Sequence, residues 1–306
     1  MNRHLHMVAS FVFALLMPAV VDPLCVSAAE QSMQPIKVLI IDGQNNHAWK
    51  ITTPIMKKFF EDCDRFIVEV ATTPPEKHDL SEFRPKFTDY NVVVSNYNGG
   101  SWPKETQLEF QAFVQGGGGF VTVHAADNAF PDWPEYNEMI GIGGWRGRGK
   151  SAGPYLYFKE DKMVVDTESG GRGGGHGSQH EFQVQSRDAD HPIMKGLPDS
   201  WLHTKDELYE KLRGPAKNIQ VLATAFASPD QRGSGRDEPM LLVLHYGQGR
   251  IFHTTLGHAK YSMLCVGFRD TLLRGTEWAA TGKVTVPVSD DFPTSDKASP
   301  IGSGRK

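Results

Sequence analysis

Cysteine is scarce in this 306-residue chain: there are three, and no two stand in a Cys-x-x-Cys spacing. Thiolate zinc sites and thioredoxin-type redox centres need that spacing, so both are excluded. An excess of basic charge is also missing. The formal net charge is −4, which argues against a generic nucleic-acid binder, since such proteins carry a basic stripe. It gives no reason to invoke a membrane surface. No apolar run reaches the roughly 20 residues that span a bilayer. The nearest, Met7 to Val21, follows Arg3 and precedes Ser27-Ala28-Ala29, and Pro18, Asp22 and Pro23 interrupt or follow it. That order is the one a secretory signal has. It predicts a signal peptide over residues 1–29, cleavage after Ala29, export to the periplasm or the exterior, and no stable membrane insertion afterwards. Cys25 follows Asp-Pro-Leu and not the small residues of a lipobox.

Cleavage leaves 306 − 29 = 277 residues, and the charge is unchanged because one Arg and one Asp are lost. A chain of that length needs no disulfide staple, so Cys63 and Cys265 are expected as buried free thiols. The first half alternates. Ile36 to Ile41 is a continuous apolar, β-branched run, as in a strand buried on both faces. Thr52 to Asp62 has helical spacing, with Pro54 tolerated in the first turn. Strands are expected at Phe66 to Val70, Asn91 to Ser95 and Gly119 to His124, with a helix from Pro103 to Val114. This rhythm means right-handed βαβ units and a mostly parallel central sheet in an α/β sandwich.

Gly141 to Gln179 is a glycine-rich excursion with two short strands, Tyr155 to Phe158 and Met163 to Asp166. Such a segment is either a disordered insert or a functional rim. Asn218 to Thr224, Met240 to His245 and Arg250 to Thr255 are strand-like, the last two joined through Gly247-Gln248-Gly249. Met263 to Ala280 reads as a closing helix. One domain is expected over residues 30–283, and residues 284–306 as a flexible tail without a core signal.

Ligands of an open parallel sheet gather beyond the carboxyl ends of its strands. The first strand is followed by Asn45, Asn46, His47 and Trp49, the third by Asn96 and Asn98, and the fourth by His124, Asp127, Asn128 and Trp133. The late hairpin leads to Gly257-His258. Amides and tryptophans together suit sugar hydroxyls and sugar faces. Plainer readings compete. Asn45-Asn46 could be turn residues, and His124 and His253 core histidines. His191-Pro192 looks like loop punctuation. Within His203 to Leu212, Tyr209 could simply be packed, and one carboxylate of Asp206-Glu207 could face solvent.

Strand, tight turn and helix is the geometry of a nucleophile elbow. At that turn the chain reads Thr122-Val123-His124-Ala125-Ala126-Asp127, with no cysteine near. No Glu follows His258, which reads Gly257-His258-Ala259-Lys260. In class I glutamine amidotransferases the elbow carries a cysteine, helped by a downstream His and Glu, so thiolate acyl transfer is excluded here.

Several motifs together resemble the trehalose-utilisation ThuA-like family. They are Asp42-Gly43-Gln44-Asn45-Asn46-His47, Gly117 to Asp127, His191-Pro192-Ile193 with Gly196-Leu197, Asp206-Glu207-Leu208-Tyr209, and Gly249-Arg250 leading to Leu256-Gly257-His258. The resemblance runs from about Ile36 to Ala280. It implies an amidotransferase-like, flavodoxin-type fold without glutaminase activity, in a group associated with disaccharide and keto-sugar breakdown.

The leading expectation is an enzyme acting on a small carbohydrate. His124, Asp127 or Glu207 would be the general base, since an imidazole titrates near operating pH. His258 and the asparagines would hold substrate oxygens. His47, His124 and His258 are also candidate ligands for a divalent metal such as zinc, although no HxxxH or HxH spacing marks them. Glycoside hydrolysis by the pair Asp127 and Glu207 fits less well. The rivals are a non-catalytic carbohydrate-binding protein and a partner-binding domain without a pocket.

Overall fold

The computed structural model describes residue 1 and residues 34–302. The expected signal segment lies almost wholly outside them. In chain order the elements are β1 (Ile36–Asp42), α1 (Trp49–Glu61), β2 (Phe66–Thr72), β3 (Val92–Ser95), α2 (Lys104–Gln115), β4 (Gly119–Val123) and α3 (Pro134–Ile140). Then come β5 (Tyr155–Lys159), β6 (Lys162–Asp166), β7 (Gly175–His176), β8 (His180–Ser186), β9 (Ser200–Asp206) and β10 (Tyr209–Glu210). The chain closes with β11 (Gln220–Phe226), β12 (Asp237–Tyr246), β13 (Gly249–Thr254), α4 (Lys260–Met263) and α5 (Val266–Thr281).

The main sheet runs β2-β1-β3-β4-β13-β12-β11-β8-β9, with β5 and β6 attached beside β12. Its strands from β2 to β13 are parallel, and from β13 to β9 every pairing is antiparallel. The expected mostly parallel sheet is therefore corrected to a mixed one. The physical reason is the tight Gly247 turn, which sends β13 back beside β12 without a crossover helix. The fold class, α/β with a large central sheet, holds.

Side-chain alternation places the core on both faces of β1. Val38 and Ile40 join one buried cluster, with α1 and α5, and Leu39 and Ile41 join the other, with α2 and α3. Two faces buried at once is why this strand has no polar alternation. β8 carries the opposite pattern, with Phe182 and Val184 inward between exposed neighbours.

The glycine-rich excursion is folded. β5 and β6 form a hairpin that reaches β12 at Asp237, and β7 pairs with β10. Arg213, 1% exposed, stitches it by donating to the carbonyls of Gly153 and Ser169, with its guanidinium 3.5 Å from the centre of the Tyr155 ring. The segment after residue 283 differs from the flexible tail expected. Val286 is buried, and Val284, Phe292 and Ile301 pack on the same cluster. Backbone bonds from Leu202 to Thr294, from Val266 to Ser299 and from Ile301 to Leu264 fix its path. Its apolar residues are too widely spaced to give a periodic signal. Cys63 and Cys265 are both free.

One buried acid gives a pH prediction. Glu238 on β12 accepts from Ser234 Oγ at 2.7 Å and from the Lys211 N–H at 3.1 Å. Burial pushes its carboxyl up from 4.5 to about 7. Between those pH values the folded chain holds a proton that the unfolded chain has released, so stability falls as pH rises. The loss should reach about 3 kcal/mol by pH 7 and stop there. Thermal melts of Glu238→Gln from pH 4.5 to 8 should lack this decline; a decline of equal size in the variant would assign it to another group.

Candidate metal centre and pocket

Four segments deliver side chains to one point at the carboxyl edge of the sheet. After β1, the Asn45 Oδ1 accepts from the His47 backbone N–H at 2.9 Å and lies 3.1 Å from its Nδ1. Asn45 itself donates to the Asn96 carbonyl. The amide oxygen thus selects the tautomer with hydrogen on Nδ1 and leaves the His47 Nε2 with a lone pair. After β4, His124 takes a left-handed backbone, φ 47°. A non-glycine residue there costs about 1–3 kcal/mol and is kept only where its surroundings hold it. Its Nδ1 is 2.7 Å from the Thr255 carbonyl, so its Nε2 is also left with the lone pair.

His258 follows Gly257 at φ 108°, where an added Cβ would collide with Phe268. Glu207 follows β9. Between them stands Asp206, which is fully buried. It accepts from the backbone N–H groups of Glu207 (2.8 Å), Gly257 (2.8 Å) and His258 (3.1 Å), and from His203 Nε2 (2.9 Å). One carboxylate therefore clamps two site residues that lie 51 positions apart in sequence.

One ligand atom from each of His47, His124, His258 and Glu207 lies within 4.8 Å of every other. Glu207 Oε2 is 3.8 Å from His47 Nε2, 3.7 Å from His124 Nε2 and 3.0 Å from His258 Nδ1. Four donors at about 2.1 Å from a tetrahedral ion would stand about 3.4 Å apart. Among the described residues the buried His124 Nε2 and His258 Nδ1 make no well-directed hydrogen bond, and the group that faces each is Glu207 Oε2. Buried polar atoms are rarely left this way without a reason, and a cation at the shared point supplies one. Three imidazoles and a carboxylate fit zinc or a similar first-row ion.

Electrostatics agree with a centre built around one negative charge. Burial pushes the Glu207 carboxyl up, but His124, His258 and His47 outweigh it and hold it far below the usual range. Burial pushes His124 down, and Glu207, Asp206 and the Thr255 carbonyl reverse that. For His47 burial prevails and its pKa is lowered.

The cluster floors a cavity of about 580 Å3. One wall is aromatic: Trp145 lies 4.6 Å from Tyr209, whose ring is 4.0 Å from His124. Amides complete the lining. Asn98 donates to Asn46 Oδ1 at 2.7 Å, and the Asn128 amide nitrogen faces Asp127 Oδ1 at 2.7 Å and the Gly144 carbonyl at 3.2 Å. Arg146 closes the rim, donating to the carbonyls of Asn98 (2.6 Å) and Gly99 (2.9 Å). His176 Nε2 stands 3.6 Å from Glu207 Oε1, with its Nδ1 at the Gly177 carbonyl.

Of the residues predicted from sequence, His47, His124, Glu207 and His258 meet, with Asn46, Asn98 and Asn128 around them. Others do not line the cavity. Asp127 is fully buried, 3.3 Å from His253 Nε2, so it makes no carboxylate pair with Glu207 across the pocket. Asn96 spends its amide on Thr52 and Thr53, and Asn45 positions His47. Trp49 opens α1, and Trp133 packs among Trp102, Phe130 and Tyr136 in the core. Neither Asp206 nor Glu207 faces solvent. His191 is a structural turn residue, packed edge to face with Trp278.

The platform tryptophan is Trp145, which sequence reasoning passed over together with Gln179 and Tyr261. Gln179 bridges Glu207 and His258, and Tyr261 donates to it at 2.5 Å. The glycines around Trp145 were the available signal.

A mixed α/β sheet, a strained elbow occupied by histidine, and a His/carboxylate cluster define an α/β protein with a candidate metal centre at the carboxyl edge of its sheet. Residues 37–279 match the ThuA family, described as trehalose utilisation, and the chain belongs to that family. A ThuA-like protein of Parabacteroides merdae ATCC 43184 is 49% identical, with a TM-score of 0.85, over 87% of this chain and 98% of that one. A ThuA-like protein of Bacteroides uniformis ATCC 8492, 21% identical over 84% of this chain and 96% of that one, shares the fold at a TM-score of 0.57. No curated protein matches.

Proposed function

We propose that the chain is an exported, metal-dependent enzyme of carbohydrate breakdown, acting on a disaccharide or keto-sugar and having no glutaminase activity. The observation that carries this reading is the convergence of His47, His124, His258 and Glu207 on one point at the floor of an amide- and tryptophan-walled pocket. A divalent cation there would act as a Lewis acid toward negative charge on a substrate oxygen. The chain's own groups would do the rest. Trp145, backed by Tyr209 at 4.6 Å, offers an apolar ring face to a sugar, and Asn46, Asn98 and Asn128 bind hydroxyls. His176 Nε2, outside the ligand set and open to the pocket, takes a proton from carbon beside a carbonyl. Family membership supports the sugar context, and the apolar leader Met7 to Val21 supports export.

The test is turnover on a panel of neutral and oxidised disaccharides before and after chelation. Activity should disappear on metal removal and return on adding zinc or manganese. His124→Ala should abolish turnover while leaving sugar binding within about tenfold. A chelated protein that turns over at the original rate would overturn the metal-dependent reading. Binding with no turnover of any sugar would favour a carbohydrate-binding protein.

A further inference from the structure

Beside the pocket lies a second cavity of about 360 Å3, and Trp145 and Arg146 line both. The side cavity is otherwise walled by Arg148, Arg172 and glycines, and no acidic side chain reaches it. Arg148 is only 4% exposed. It donates to Asn137 Oδ1 and to the carbonyls of Asn128, Ala129 and Gly144, all neutral acceptors, and these five bonds use every N–H of its guanidinium, so it offers the cavity charge and not a contact. Among the described residues none of the three guanidinium groups has a carboxylate within ion-pair distance. A buried charge without a counter-charge is costly, and the deficit invites an anion. The nearest acid acting on Arg148, Asp127, is already paired with His253.

The backbone adds to this. Trp145 and Arg146 hold left-handed φ values of 53° and 46° in succession, and Gly147 follows at 81°. Nothing lies within 4 Å of the place a Cβ would take at Gly147. No acceptor among the described residues takes the N–H of Gly147, Gly149 or Gly171. Trp145 and Arg146 lie in a tight turn that the Arg148 N–H closes on the Trp145 carbonyl at 2.9 Å, and unpaired backbone N–H groups beside arginines can add donors to an oxyanion site. Arg146 is held by two carbonyls, whereas the Arg172 side chain makes no hydrogen bond or ion pair among the described residues.

We propose that this side cavity binds the oxyanion group, a carboxylate or a phosphate ester, of a charged sugar whose reacting part sits over the histidine cluster. The inference rests on the carbohydrate reading and narrows it to acidic sugars. Arginine presents a fork of donors that matches a planar carboxylate or a phosphate face. The Trp145 ring forms the shared wall over which the sugar passes from one cavity to the other.

Calorimetric titration of the metal-loaded protein with glucose, glucuronate and glucose 6-phosphate tests this. One of the charged sugars should bind at least about tenfold tighter than glucose, the gain from a single charge-assisted contact of about 1.4 kcal/mol. The tighter of the two identifies the oxyanion as carboxylate or phosphate. In Arg172→Gln the preference should fall below about threefold while glucose affinity stays unchanged, and salt should weaken the preference in the parent. Equal binding of all three sugars by the parent overturns the acidic-sugar inference and leaves the carbohydrate reading standing. A preference that survives in Arg172→Gln also overturns it, since the metal would then be the anion's partner. If no sugar binds, both readings fall.

Discussion

Glu207→Gln should leave a folded protein that has lost its metal. The carboxylate is the one anionic donor among four, and it stands 3.0–3.8 Å from the imidazole nitrogens it would share an ion with. An amide keeps the size but not the charge, and its nitrogen cannot serve as a ligand. Even partners one shell further out cost 10–100-fold in affinity when removed, so a loss of at least about 100-fold is expected here. Metal titration against a competing chelator would measure it. Circular dichroism should stay native, because an apo cluster of three imidazoles relieved of one buried charge remains a tolerable interior. Parent-like metal affinity in Glu207→Gln would remove Glu207 from the ligand set.

Asp206→Ala should be the most damaging single change to stability near the site. Its carboxylate accepts three backbone N–H groups and the His203 ring, and both acid and imidazole are fully buried. Burial pushes His203 down, but Asp206 and Cys265 hold it up at about 9, so alanine makes the buried ring give up its proton and leaves three backbone N–H groups without their acceptor. Breaking a buried pair of this kind costs about 3–5 kcal/mol, which urea denaturation would report. The turn that carries His258 would also lose its tie to Glu207, so metal affinity should fall in parallel. Asp206→Asn keeps acceptors for the backbone and should lose less of both. A stability loss under about 1 kcal/mol for alanine would show that the clamp is incidental.

Much of the fold was legible because β4, and β1 apart from Lys37, are buried and advertise it as apolar runs, and because Gly247-Gln248-Gly249 marks the β12–β13 turn. The antiparallel half was harder to read. β8 is half-exposed and amphipathic over seven residues, and β9 carries His203, Lys205 and Asp206 in a strand whose burial comes only from its neighbours. The histidines of the centre could be placed at strand ends, but their meeting depends on loop paths set by Asn45, Asp206 and Gly257. Trp133 and Trp145 show the limit of residue type as a guide. One follows a core strand and is swallowed by the aromatic cluster, while the other lies among glycines that expose its face to the pocket.

The claim that unites these features is that the four side chains hold a metal ion. Elemental analysis of the protein, purified without chelator and without a histidine tag, tests it most directly. About one equivalent of zinc or another first-row divalent ion per chain is predicted, falling to near zero in Glu207→Gln. Protein that carries less than about a tenth of an equivalent, takes up none on dialysis against zinc or manganese, and still turns over its sugar would contradict the account.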